Sequence, residues 1–224
     1  MSDWDTNKIA QSRWNRIHAS YEREELAYDG WLDSFRQVII NCQTPIIDLG
    51  CGSGNDTLYL VKLGKEVIPC DYSENAIHNI RKNFPEVRRS ECVDLTEGLP
   101  FPDSFAGIIL ADLSLHYFDE MTTFGILDDL KRVLKPAGLL LFRVNSIHDI
   151  NYGAGQGIEI ERHFYKTETM GYKRFFDESD IRHFFHGWEL IHVEESELDR
   201  FEKPKVLWTG AARNLDLSKK DVIE

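Results

Sequence analysis

The chain reads as a single α/β domain built on an open, mostly parallel sheet with helices on both faces. Three observations carry this reading. The run Ile46-Ile47-Asp48-Leu49 is apolar and β-branched, then breaks into glycines at alternate positions, Gly50, Gly52 and Gly54, as a buried strand does when it feeds a tight turn. Short apolar runs then alternate with helix-like segments along most of the sequence, the pattern of a parallel sheet with crossover helices. Finally, Asp48, Asp71, Asp94 and Asp112 stand at or beside the ends of the first four runs, and open α/β sheets bind ligands at the carboxyl ends of their strands.

Each element follows in order. After the glycine turn, residues 55–63 start a helix whose free N–H groups face the turn. Residues 66–70 read as a second strand with Asp71 at its tip, 21 residues beyond Gly50. That offset suits an acid that binds ribose hydroxyls. Asp71 equally suits the start of a helix near Ser73, and the two roles are compatible. Residues 87–93 form a third strand, followed by Asp94 and Leu95, and residues 105–111 a fourth. A helix at 121–134, a strand at 139–145, a helix at 178–185 and strands at 188–194 and 205–213 complete the sheet. The dinucleotide fingerprint G-x-G-x-x-G would need its third glycine at position 55, which holds Asn55,.

Taken together, these residues resemble the class I S-adenosylmethionine-dependent methyltransferases over residues 40–145. Ile47 to Gly54 resembles the first motif of that family. Asp71 matches the ribose acid, Asp94-Leu95 the adenine-edge position, Leu110 to Tyr117 the fourth motif, and Leu134 to Leu141 the turn into the fifth strand. The resemblance implies a Rossmann-like class I methyltransferase fold with a seven-stranded, mostly parallel sheet whose last strand is antiparallel, residues 205–211 fitting that inserted strand. It implies S-adenosylmethionine as cofactor, with Asp48, Gly50, Cys51, Gly52 and Gly54 in its turn and Gly50 and Gly52 near the methionine. It also implies Tyr72 packed on the adenine and a backbone carbonyl near Ala111 for the ammonium.

Composition bounds the rest. At 224 residues, 42% hydrophobic and 29% charged, the chain suits one soluble domain, residues 1–224,. No apolar run reaches the length of a membrane span, and the first residues do not read as a signal peptide. The four cysteines lack metal spacing, so no metal is expected, and a reduced, cytoplasmic protein, monomeric or homodimeric, is the simple reading,. A net charge of −12 argues against a nucleic-acid partner,. Arg81, Lys82, Arg88 and Arg89 read as a solvated surface, and the overall acidity suits a cationic or neutral acceptor.

Two regions outside the core are assigned to the acceptor. Residues 1–35 are expected to fold as a helical lid, with Trp14, Ile17, Tyr21 and Tyr28 near helical spacing and with Trp14 and Tyr21 closing on the site. Residues 146–176 are expected to form a cap, a glycine hinge at 153–157 followed by a β-hairpin turned near Met170-Gly171. Methyl transfer from a sulfonium is an in-line displacement in which the protein positions the nucleophile and excludes water. A hydroxyl or ammonium acceptor would need a proton acceptor. His116 and Tyr117, beyond the fourth strand, are the leading candidates, with Tyr21 from the lid, and His163 in the cap is a second choice. His183 and His186 read as histidines at a helix C-terminus. The sequence Ala111-Asp112-Leu113-Ser114 lacks the Asn/Asp-Pro-Pro-Tyr pattern of amino-methylating DNA enzymes, so the resemblance is to the small-molecule branch, including the tellurite-resistance type. The rival readings are a non-catalytic S-adenosylmethionine binder and an NAD-dependent oxidoreductase.

Overall fold

A computed structural model describes residues 3–19, 26, 28–167, 171–199 and 201–215, with side chains from residue 11 onward. A helix α1 (Asp3–His18) and a short α2 (Arg36–Asn41) precede the sheet. Five strands run parallel: β1 (Ile46–Leu49), β2 (Val67–Asp71), β3 (Glu91–Cys92), β4 (Ala106–Asp112) and β5 (Leu134–Asn145). Helices α3 (Asn55–Lys62), α4 (Glu74–Asn83) and α5 (Glu120–Val133) connect them. An insertion carries β6 (Ile158–Glu161), β7 (Phe164–Thr167) and β8 (Gly171–Arg174), and α6 (Glu178–Phe184), β9 (Trp188–Leu198) and β10 (Lys205–Asn214) close the chain. The sheet order is β3-β2-β1-β4-β5-β10-β9, with β10 antiparallel to both of its neighbours. This is the Rossmann-like class I methyltransferase fold expected from the sequence, its last strand inserted in reverse.

The central strands are buried on both faces, as their continuous apolar runs require. One core layer packs Ile47, Ile109, Leu140, Phe142 and Val144 under α5 and α6. The other packs Ile46, Leu60, Ile108 and Leu141 under α3 and the Leu32–Ile39 segment. Between β1 and α3 the turn is forced on the chain by packing. Gly54 has φ +95°, and a Cβ there would lie 2.7 Å from Phe84 and 2.8 Å from Ile80. Its lack of a side chain lets α4 close against the turn.

Three expectations require correction. The third strand is only Glu91–Cys92 rather than 87–93. The Arg81 guanidinium donates to the Ser90 hydroxyl at 3.0 Å and to the Ser90 carbonyl at 3.1 Å, so that backbone is bonded to a side chain and not to a neighbouring strand. Exposed Arg88 and Arg89 just before it are the charges that keep an edge strand from pairing further,. The insertion is a three-stranded meander, not a two-stranded hairpin. The run 158–167 reverses at Arg162-His163, where His163 takes φ +55°. The reversal between β7 and β8, expected near Met170, lies outside the described residues, but Thr167 pairs with Gly171 across it. The glycine stretch at 153–157 is not a free hinge, because Ala154 N–H donates to the Asp149 carbonyl at 3.2 Å and Gln156 N–H to the Gly153 carbonyl at 3.1 Å.

Gly54→Ala adds a left-handed non-glycine residue and an overpacked contact, each costing on the order of 1–3 kcal/mol. Urea denaturation should show a loss of about 2–4 kcal/mol, and a variant as stable as the parent would refute this packing role.

Candidate active site

The glycine turn and the acid after β2 are joined directly. The Gly52 N–H donates to Asp71 Oδ2 and the Ser73 N–H to Asp71 Oδ1, both at 2.8 Å. Ser73 in turn caps α4 by accepting from Ala76 N–H, so the binding and capping roles do coexist. Each carboxylate oxygen keeps a further acceptor site, which is what two vicinal hydroxyls require. Burial raises the Asp71 pKa, and the two amide bonds act against that rise.

Asp48 lies beneath the turn, fully buried, and accepts from the Thr57 hydroxyl at 2.5 Å. Burial first, then the charges of Asp112 and Asp71, push its pKa up to about 7. Burial raises Asp56 as well, and its carboxylate accepts the Trp31 indole N–H at 3.0 Å. One buried guanidinium serves this acidic group. Arg143 of β5 forks onto both oxygens of Asp112 at 2.6 and 2.7 Å and reaches Asp29 at 2.8 Å, with Trp31 4.8 Å above it.

The loop after β4 forms the opposite wall. A Cβ on Gly50 would meet Ser114 at 2.5 Å, so this glycine is required by the loop as much as by a ligand. Among the described residues the buried Ser114 hydroxyl has no hydrogen-bond partner, and neither has His116 Nδ1. Burial, then Lys173 and Lys205, drive the His116 pKa well below its ordinary value, leaving a neutral ring. Tyr117 packs against His116 at 4.2 Å and takes the Trp14 ring edge-on at 5.4 Å. Its hydroxyl pKa is raised, by burial first and then by Asp71 and Asp112, while Arg13 opposes.

Helix α1 lies across the mouth of the site. Asn15 accepts from the Ser73 hydroxyl at 2.8 Å, Asn79 donates to the His18 carbonyl at 2.7 Å, and Gln11 donates to the Tyr72 carbonyl at 3.2 Å. His18 stacks on Trp14 and comes within 3.2 Å of a Cβ placed on Gly52. Tyr72 is half-buried, its pKa raised by burial and then by Asp94. Asp94 Oδ1 caps a short turn through Thr96, while Oδ2 has no partner among the described residues.

The structure therefore brings together Trp14, Asp48, Gly50, Cys51, Gly52, Gly54, Asp71, Tyr72, Asp94, Leu95, Ala111, His116 and Tyr117 around one set of strand ends. Tyr21 lies outside the described residues. His163 is not brought to the site: its Nδ1 meets Asp180 Oδ2 at 2.7 Å. It shares Asp177 and Asp180 with Arg162, whose guanidinium already occupies both carboxylates. His183 pairs with Glu120 at 2.9 Å. Sequence reasoning missed His18, which lies on the Trp14 helical stripe four residues on, and Ser114. It also missed Arg143, a charge inside an apolar strand.

Residues 47–142 match the family described as Methyltransferase domain. The tRNA N(3)-methylcytidine methyltransferase Mettl2 of Drosophila melanogaster is 33% identical over 150 residues, covering 61% of this chain and 46% of that protein. An uncharacterised methyltransferase of Synechocystis is 31% identical over 94 residues, 42% of this chain and 43% of that one. The chain thus spans less than half the length of either relative. Among solved structures, a Burkholderia thailandensis 1,6-didemethyltoxoflavin-N1-methyltransferase superposes with TM-score 0.71 at 15% identity, covering 96% of this chain and 92% of that one. The N-methyltransferase NodS of Bradyrhizobium japonicum gives 0.62 at 14%, covering 91% and 97%. The domain match over residues 47–142, the fold and the motif order together support a class I S-adenosylmethionine-dependent methyltransferase. The orphaned Ser114 hydroxyl, the spare Asp71 acceptors and the unpartnered Asp94 oxygen fit the polar ends of that cofactor.

Because Asp48 is protonated more readily folded than unfolded, the native state binds the extra proton between pH 4 and 7, and stability falls as pH rises through that window. Asp48→Asn removes this penalty while keeping an acceptor for Thr57. In urea denaturation the variant should gain on the parent between pH 5 and pH 8, whereas equal pH slopes would show that Asp48 ionises freely.

Proposed function

We propose that this chain transfers a methyl group from S-adenosylmethionine to a small-molecule acceptor and releases S-adenosylhomocysteine. The observation that carries the proposal is the closure of α1 and the insertion over the loop after β4. A Cβ on Gly171 of β8 would lie 3.8 Å from Arg13 of α1. The Arg174 N–H of β8 donates to the His116 carbonyl at 2.7 Å, and its guanidinium donates to the Phe118 carbonyl at 3.4 Å. We therefore read residues 1–35 as a lid and residues 146–176 as a cap over the acceptor, a closed site that excludes water.

When bound, the cofactor supplies a sulfonium methyl already activated by its positive charge. Tyr117 and Trp14 would wall the approach, and Asp71 would fix the ribose. Neutral His116 carries one ring N–H and resists taking up a second proton, so it offers a hydrogen bond more readily than it acts as a base,. That favours an acceptor atom that is already a nucleophile without deprotonation. Asn55 in place of the third fingerprint glycine, with the Asp94-Leu95 and Leu110–Tyr117 matches, supports S-adenosylmethionine over NAD,. A second reading, methylation of tRNA, is favoured by the similarity to the Drosophila enzyme. The net charge of −12 weighs against it, since phosphate contacts require a basic face,.

Turnover to S-adenosylhomocysteine should appear with members of a small-molecule panel and not with unmodified tRNA transcripts. Turnover on the transcripts alone would establish the second reading, and none with any acceptor would leave a cofactor-binding protein. Asp71→Ala should weaken S-adenosylhomocysteine binding by about 1–3 kcal/mol in calorimetry. Unchanged affinity in a folded variant would remove Asp71 from the site.

A further inference from the structure

We propose that the acceptor is held by a carboxylate, anchored by a buried basic cluster that Lys173, Lys205 and His116 form where the insertion meets the ends of β5 and β10. This inference rests on the methyltransferase reading above and adds the class of the acceptor.

The two lysines differ in what surrounds them. Lys205, 4% exposed, is compensated: its ammonium lies 2.6 Å from Asp149 Oδ2 and 2.7 Å from Asn145 Oδ1. Lys173, 6% exposed, has only the Tyr152 carbonyl at 3.3 Å and the Phe175 ring at 5.8 Å. No carboxylate of the described residues lies within ion-pair distance of it. Burial, then the charge of Lys205, lowers its pKa to about 8, so it remains mostly charged at neutral pH. A buried cation without a counterion is costly, and proteins keep one where a ligand supplies the counterion.

A second observation points to the same place. His116 is 2% exposed, and its Nδ1 has no hydrogen-bond partner among the described residues. The strand that carries Lys173 lies along the His116 loop, tied to it by the Arg174 N–H and the His116 carbonyl. Both lysines act electrostatically on that ring. In the tautomer with hydrogen on Nδ1, His116 would donate to one carboxylate oxygen while Lys173 donates to the other.

The charge balance selects the ligand. Lys173 and Lys205 have one carboxylate between them at ion-pair distance, Asp149, while the more distant Asp112 and Arg143 act on Lys205 in opposite senses, so one positive charge of the cluster stays uncompensated. Arg13 adds positive potential at Lys173 from α1. A monoanion balances the cluster, whereas a dianionic phosphate overshoots it. The acidity of the whole chain suggested a cationic or neutral acceptor, but this part of the site has the opposite sign.

The test is calorimetry on the full chain, titrated first with S-adenosylhomocysteine and then, once loaded, with benzoate, benzamide and phenyl phosphate as probes. Benzoate should bind at least about tenfold tighter than the other two, as a charge-assisted hydrogen bond implies. Lys173→Met and Lys173→Gln should each lose that preference while keeping S-adenosylhomocysteine affinity. Lys173→Met should also raise the melting temperature, because it removes an uncompensated buried charge. Equal binding of benzoate and benzamide, preference for phenyl phosphate, no benzoate binding to the loaded protein, or full benzoate affinity in both variants would each overturn the assignment. Failure to bind S-adenosylhomocysteine with benzoate binding intact would instead sink the methyltransferase reading.

Discussion

One guanidinium holds the ligand-binding edge of this sheet together. Arg143 lies on β5 opposite Asp112 of β4 in the strand register, forks onto that carboxylate, and reaches across to Asp29 in the N-terminal segment. It is 2% exposed, so neither water nor salt screens these contacts appreciably. Asp48 and Asp56 lie within its electrostatic neighbourhood, and both are pushed toward protonation by burial and by Asp112. Without Arg143 the strand ends would present buried carboxylates with no cation, a state costing about 3–5 kcal/mol for one broken pair. A buried ion pair adds little net stability over an apolar pair of the same shape. What this one contributes is position: it fixes the β4 end against β5, and thereby the loop carrying Ser114, His116 and Tyr117.

From that fixed edge, the two ligand ends acquire opposite electrostatic signs. The turn end carries Asp48, Asp71 and Asp94 and is suited to a cationic cofactor. Lys173 and Lys205, which act on His116 beside Tyr117, carry the opposite sign. His116 stands at the boundary, neutral because burial and the lysines both disfavour its charged form. Charges arranged this way orient a ligand before contacts form.

The parts of this arrangement that were legible in the sequence are local ones. The β-branched run, the glycine spacing and Asp71 lie within one strand-turn-helix unit, where short-range rules decide the structure. The fourth-motif residues were also found, because they follow a strand end directly. Edge behaviour was less legible: nothing in residues 87–90 announces that Arg81, on α4 and nine residues earlier, will claim the Ser90 backbone. The insertion defeated the periodicity reading at His163, where a left-handed residue reverses a run that reads as one strand. Lys173 was illegible for a different reason. On an exposed strand it would be an ordinary surface lysine, and only the docking of β8 against the His116 loop buries it.

That docking depends on Arg174, the neighbour of Lys173. Its guanidinium is 3% exposed and binds Glu161, the Arg162 carbonyl and the Phe118 carbonyl while lying over the rings of Phe164 and Phe184. Alternate residues of a strand point to opposite faces, so Arg174 anchors the cap to the α5–α6 side while Lys173 is turned the other way. The pair converts one short strand into both a fastening and a binding group. A cap fastened this way to the loop that bears His116 and Tyr117 cannot move far without moving them. On the reading proposed above, acceptor contact and the geometry beside the cofactor would therefore be mechanically coupled, because an anion held at Lys173 would bear on the same loop.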